Sequence, residues 1–452
     1  MQLIYNYLNK LWNDLKIENS FQGNYFFGFL FFITIPLPLA FNNIALVLWT
    51  IFSALSLRKN TVYINGYLHI PILLFLWMAG SFFWSIDPDV TAKAILKEIV
   101  LLIVPLNFMC YSKEILASKV TIWLKYYSHF MVFYALFFLL RAVLRYALLQ
   151  ESSFFYYHGE NNVDSGLVPK LLNAIHVSVF IAVAFFWFLH QPKKTKTTLI
   201  ALGILFLFLV LLSSKNILLI TVLLTLFYIF YFSKTANKMR LRNSIIFVII
   251  ILTTLFYGRI KQRFDVEFQS NTNKSLSHDV INQAPQGVHF VSIYEAWNNK
   301  RFTPNDYFPG TAFRVYQIRI FLELIKEEPV FFTGFGLNAS FKKLEEKAIA
   351  YNLYQGTGKE DGYQNKNFHN QYVQNFAELG LIGFVLLLSL LGIMLYKSIG
   401  KENFLQLSFT ILMISVFFTE SFLWRQRGVA FFTFIFCLLI TIKTPVKALK
   451  ES

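Results

Sequence analysis

Apolar residues in this chain fall in separate runs of roughly 16–25 residues, divided by short polar connections. Runs of that length cross a hydrocarbon core of about 30 Å as helices. They are apolar all round and lack the alternation of a barrel strand, so helices rather than a closed sheet satisfy the backbone. The pattern places spans near 24–40, 43–57, 66–84, 94–111, 121–148, 171–190, 198–212, 216–232, 244–258, 371–396, 404–419 and 429–443. It predicts an all-α polytopic membrane protein with about 12 transmembrane helices. Residues 1–21 carry Ile4, Leu8, Leu11 and Leu15 at helical spacing among Lys and Asn, the pattern of an interfacial amphipathic helix. No cleavable signal is expected.

Two outer segments interrupt the apolar runs. Residues 151–170 are polar and aromatic, and 259–370 mix both charge signs with helical stretches at 312–327 and 339–350. About 110 residues make a cap seated on the bundle rather than a free domain. Three parts follow: an N-terminal bundle of about nine helices (1–258), a large outer loop or cap (259–370), and C-terminal helices with a tail (371–452).

Composition agrees with that class. The chain has 452 residues, is 56% hydrophobic and only 15% charged, too little charge to cover a soluble surface of this size. Its net charge of +16 does not point to nucleic acid, because the basic residues sit in short connections. With the N-terminus inside, roughly 18 Lys and Arg lie in inner segments against 5 in short outer ones, so both termini are expected in the cytoplasm. Cys110 and Cys437 lie in apolar runs and offer neither a disulfide framework nor a zinc spacing.

The segment richest in chemistry is His369-Asn370-Gln371-Tyr372, followed by Glu378-Leu379-Gly380 and Gly383. A histidine at a membrane boundary can accept a proton near neutral pH; His369 and Asn370 could equally cap a helix. Glu378 lies nine residues on, about half a turn out of phase on one helix, which suits a polar contact between helices rather than orientation of the His369 ring. A second segment runs from Arg314 through Pro329 to Gly334-Phe335-Gly336. Arg319 has Glu323 four residues on and reads as a surface pair, whereas Arg314 lacks such a partner and suits an anion. Gly334 and Gly336 allow a tight turn; as a phosphate loop they lack the strand–helix context. The third segment, Ser213-Ser214-Lys215-Asn216, is a hairpin connector whose lysine could meet a lipid-linked phosphate. Arg425 and Arg427 add to a positive outer rim, and Arg141 and Arg145 read as snorkelling residues. Asp87-Pro88-Asp89 resembles a metal pair but reads better as a turn.

Taken in order, these segments resemble the O-antigen ligase family of bacterial membrane glycosyltransferases, which includes Wzy-type polymerases and some protein O-oligosaccharyltransferases. The likeness rests on His369-Asn370-x-Tyr372 with Glu378-x-Gly380, on Arg314 leading to Gly334-x-Gly336, and on Ser213-Ser214-Lys215. It covers about 170–440; the earlier spans agree by hydropathy alone. Two departures stand out: Lys215 where the family usually has arginine, which keeps the charge but loses the bidentate fork, and Ile318 where an aromatic is usual.

The resemblance implies a GT-C-like fold in the bacterial inner membrane with the site facing the periplasm. It implies inverting, metal-independent glycan transfer from an undecaprenyl-diphosphate donor to an acceptor hydroxyl, with no cofactor. His369 and Arg314 would be catalytic, and Lys215, Asn370, Tyr372 and Arg425 would bind substrate. The expected partners are the lipid-linked donor, a lipid A–core or other glycan acceptor, and membrane lipids. Ligation to lipid A–core is the leading expectation, with polymerase or protein transferase as the alternative acceptor choices. A lipid-glycan flippase is a more distant alternative, since transporters place binding groups near the midplane between repeats.

Overall fold

The structure is a computed structural model that describes residues 2–15, 22–57, 65–111, 113–157, 166–232, 289–357, 360–364, 366–400 and 403–441. The expected span 244–258, the first part of the cap (259–288) and the basic groups at 58–59, 234–242 and 443–450 lie outside the described residues. The rest is mostly helical, as its apolar pattern predicts.

The membrane part comprises α1 (Gln2–Leu15), α2 (Gly23–Thr34), α3 (Leu39–Ser56), α4 (His69–Gly80), α5 (Pro88–Glu98), α6 (Val100–Met109), α7 (Lys113–Leu149), α8 (Ala174–His190), α9 (Lys196–Leu212) and α10 (Lys215–Phe227). The cap supplies α11 (Ile293–Asn298), α12 (Gly310–Glu327) and α13 (Ser340–Ala350), before α14 (Gln371–Gly400), α15 (Phe404–Thr419) and α16 (Gln426–Thr441). Among the described residues, five helical stretches, 39–56, 66–83, 121–149, 215–232 and 371–399, are long and apolar enough to cross a membrane, and five more apolar helices are shorter. Two of the expected runs are interrupted locally. The run 94–111 is split at Ile99 into α5 and α6, and α6 contains Pro105. The run 171–190 opens with a 3₁₀ turn, so its helix starts only at Ala174.

The bundle core is aromatic. Phe434 of α16 lies against Phe31, Phe32, Trp49, Phe108 and Trp123, with ring centroids 4.5–5.7 Å apart. The indole of Trp49 donates to the Tyr111 hydroxyl (2.7 Å), which donates to the Asn24 carbonyl (2.8 Å), so these two side chains have partners for their polar atoms inside the core. The amphipathic α1 docks on α7, where Tyr126 donates to Asp14 at 2.6 Å.

The cap helices fall where the sequence pattern puts them. Two short strand pairs join them: β1 (His289–Phe290) parallel to β2 (Asp306–Tyr307), and β3 (Gly356–Thr357) antiparallel to β4 (Glu360–Asp361). Phe302, Phe308, Phe313, Tyr316 and Phe335 form the cap core, which continues into Ala377 of α14. The expected Arg319–Glu323 pair is present at 2.9 Å, but it is not on the surface: Arg319 is buried and also donates to the carbonyls of Ala296 and Asn299.

Cap and bundle join at a break in α14. Gly380 has φ +65° and ψ −165° inside that helix, which releases backbone groups from the helical ladder. The loop 331–336 takes them up: Phe335 N–H donates to the Ala377 carbonyl and Gly336 N–H to that of Glu378, both at 2.9 Å. In return Leu381 N–H donates to the Phe331 carbonyl, and Trp77 of α4 donates to Leu379 at 2.8 Å. A Cβ on Gly380 would lie 2.2 Å from the Phe332 backbone, and one on Gly334 would lie 2.3 Å from that of Glu378. The Gly-x-Gly motif is therefore a backbone docking strip, made of glycine because two main chains nearly touch.

Candidate functional site

Segments expected at outer ends of the spans meet at one face. Arg427 is buried and donates to the carbonyls of Ile35, Leu37, Leu171 and Leu172, closing the ends of α2 and the turn before α8. It is thus a structural clamp rather than part of an open rim. Arg425, two residues earlier, is exposed and rests 5.9 Å from the Trp424 ring centre. The guanidinium groups of Arg141 and Arg145 sit over Phe138 and Phe154, at 5.8 and 4.1 Å. Asp87 caps α5 by accepting from Val90 N–H, with Pro88 next, so the acidic pair is a helix start.

His369 ends the cap and precedes α14. Its φ of +47° is left-handed, a conformation rare for a residue with a Cβ. The turn is held from both sides: His369 N–H donates to Asn367 Oδ1 (3.0 Å), and Phe368 N–H donates to Gln374 Oε1 (3.2 Å). Gln374 in turn donates to Glu378 and accepts from Ser421. Glu378 thus acts one step away from the histidine, through Gln374, as its phase on the helix suggests. Asn370 caps α14 by accepting from Tyr372 and Val373 N–H at 3.0 and 3.1 Å, and its amide donates to the Phe418 carbonyl. Tyr372 donates to the Ile414 carbonyl at 3.0 Å. Both residues tie α14 to α15.

The end of α15 is where the candidates converge. His369 Nδ1 lies 3.5 Å from Glu420 Oε2, with the carboxylate almost fully buried and the imidazole partly exposed. Arg314 Nε donates to the Thr419 carbonyl at 3.1 Å, while its Nη1 donates to Gly310. Lys215 opens α10 after Ser213 turns the chain with φ +55°. Its neighbour Asn216 donates to the Ser415 carbonyl (2.8 Å) and to Thr419 Oγ1 (2.9 Å) and accepts from Ser415. Arg314, Asn216 and His369, far apart in sequence, are thereby fastened to one helix end, with Lys215 next in the chain to Asn216. His176 lies behind it, fully buried, donating from Nε2 to the Phe422 carbonyl at 3.1 Å and stacked on that ring.

Glu420 and Asn216 are the participants that sequence reading passes over. Glu420 appears only as one letter in a hairpin, and Asn216 as a neighbour of the lysine. Burial alone would push the Glu420 carboxyl up, but contact with His369 and the positive fields of His369, His176 and Arg314 outweigh it. The group is held below the ordinary carboxylate range.

Helices long and apolar enough to cross a membrane place this chain among membrane proteins, with a His–Glu pair and cations gathered at one end of α15. Residues 198–388 match the family model described as O-Antigen ligase. Over this stretch the resemblance to the O-antigen ligase family is borne out, and the match supports a membrane glycan-transfer function. The match runs from α9 through the cap into α14. No curated protein matches the chain.

Proposed function

We propose that the protein is a metal-independent, inverting glycosyltransferase that moves a glycan from undecaprenyl diphosphate to an acceptor hydroxyl on the periplasmic face, with lipid A–core as the acceptor. The observation that carries this reading is the approach of His369 Nδ1 to Glu420 beside Arg314. With Nδ1–H directed at the carboxylate, Nε2 keeps its lone pair and can take the acceptor proton. The acceptor oxygen then attacks the anomeric carbon as the bond to the diphosphate oxygen breaks, which inverts the centre. The leaving diphosphate is stable as an anion and needs no general acid. It needs cations, which Arg314 and Lys215 supply in a partly buried setting. Glu420 stays ionised and steadies the imidazolium formed during transfer; the partly exposed ring then gives its proton to solvent, which restores the base.

Asn370 and Tyr372 serve by fixing the turn that presents His369, and Arg425 reaches the acceptor side. Transfer from a lipid-diphosphate donor by purified protein tests the reading, with His369→Ala as the control. Lipopolysaccharide banding in a deletion strain separates the acceptors: loss of all glycan on the core supports ligation, and a core bearing one repeat supports polymerisation.

A further inference from the structure

Two exposed cations share one aromatic ring at the face that holds His369. Lys97 Nζ lies 5.6 Å from the Trp424 ring centre and the Arg425 guanidinium 5.9 Å from it. The ring is fixed in place: its Nε1 donates to Asn338, and Phe341 packs at 5.6 Å. Three cations of the cap are paired with carboxylates, Arg319 with Glu323, Lys343 with Glu328 and Lys347 with Glu327. Lys97 and Arg425 have no carboxylate at ion-pair distance among the described residues. The buried Glu98 and Glu378 act on Lys97 only through space. Like charges held near one ring repel, and an anion between them relieves that repulsion.

The place is joined to the reaction centre. Leu423 N–H donates to Gln371 Oε1 at 2.7 Å, and Gln371 follows His369 by two residues. Arg425 also lies within Coulomb range of His176, which is in range of Glu420.

We propose that Trp424, Lys97 and Arg425 form a subsite for a phosphorylated sugar of the acceptor, an inference that rests on the glycan-transfer reading above. A phosphate monoester carries close to two negative charges and several acceptor oxygens, enough to meet both cations at once. The sugar ring meets the apolar faces of Trp424 and Phe341. The same chemistry could come from a lipid headgroup, and the test separates the two.

Binding of a phosphorylated lipid A–core glycolipid to the full-length protein in detergent is the measurement, repeated with the same glycolipid after phosphatase treatment. Wild-type protein should lose about tenfold or more in affinity when the phosphates are removed. The double variant Lys97→Gln/Arg425→Gln, with unchanged thermal melting, should bind both forms with the weaker affinity, and Lys97→Arg should retain the preference. Equal wild-type binding before and after phosphatase overturns the subsite, as does a double variant that keeps the preference. So does competition by phosphatidylglycerol micelles as effective as competition by the glycolipid, which would assign the cations to headgroups. No turnover is needed, so these results strike the subsite alone. Absent transfer with phosphate-dependent binding intact overturns the transferase reading instead.

Discussion

His369 Nδ1 faces Glu420 Oε2 at 3.5 Å, joining the turn that ends the cap to the residue that ends α15. In the proposed mechanism this contact sets which ring nitrogen is free for chemistry and brings a buried carboxylate of a hairpin to the histidine. His369→Ala should therefore lower transfer about 10²–10⁴-fold at unchanged thermal stability. Glu420→Gln keeps the shape but not the charge and should lose about tenfold or more of that. Rates of purified variants from a lipid-diphosphate donor decide the matter; a near-wild-type His369→Ala enzyme would leave the histidine as an anchor.

Arg314 and Lys215 are separable by chemistry. Arg314→Ala should cost about 3 kcal/mol of transition-state stabilisation, and Arg314→Lys should recover only part, because Nε and Nη1 are both in use. Lys215→Arg should be tolerated, whereas Lys215→Ala should raise the donor KM. Equal donor KM values for Lys215→Ala and wild type would remove that residue from the diphosphate.

Glu420 also gives a sign for acid sensitivity. Its carboxyl is held below its ordinary value of 4.5, so its contribution to stability is full above that pH and is lost as pH falls through the depressed value. Thermal melting of Glu420→Gln should lie below that of wild type at neutral pH, with the two curves converging as pH drops below about 4.5. Parallel curves would show that the carboxylate is not held by the site.

Gly380→Ala tests the joint between cap and bundle. The added Cβ meets strained φ and a backbone 2.2 Å away, so a loss of about 1–3 kcal/mol is expected from conformation alone, and more from the clash. Thermal melting should fall by several degrees. A wild-type melting curve would mean that the kink relaxes without the loop 331–336.

Sidedness is open to direct chemical labelling. Single cysteines at Tyr294 or Ile349, both exposed on the cap, should react with an impermeant thiol reagent supplied from the periplasm, and a cysteine at Thr197 should not. The reverse pattern would place His369 in the wrong compartment for a lipid-linked donor.

Hydropathy and helical periodicity are properties of neighbouring residues. From them alone the sequence determined the apolar helices and the cap helices near 312–327 and 339–350; the segments carrying Lys215, Arg314 and His369 stood out by their polar residues and by the family resemblance. Local pattern does not show where a run is interrupted, because a single break at Ile99 or a 3₁₀ turn at Lys170–Leu172 shortens a helix without changing the hydrophobicity of its run. What only the tertiary structure decided are contacts between residues far apart in the chain. Glu420 is set against His369, Asn216 against Thr419, and the Gly334–Gly336 strip against the kink at Gly380. Likewise Arg319 and Arg427 leave the surface, because carbonyls at the ends of distant elements happen to converge on them. A charge in a linear pattern reads as exposed until packing surrounds it with acceptors, and that packing has no signature in local sequence.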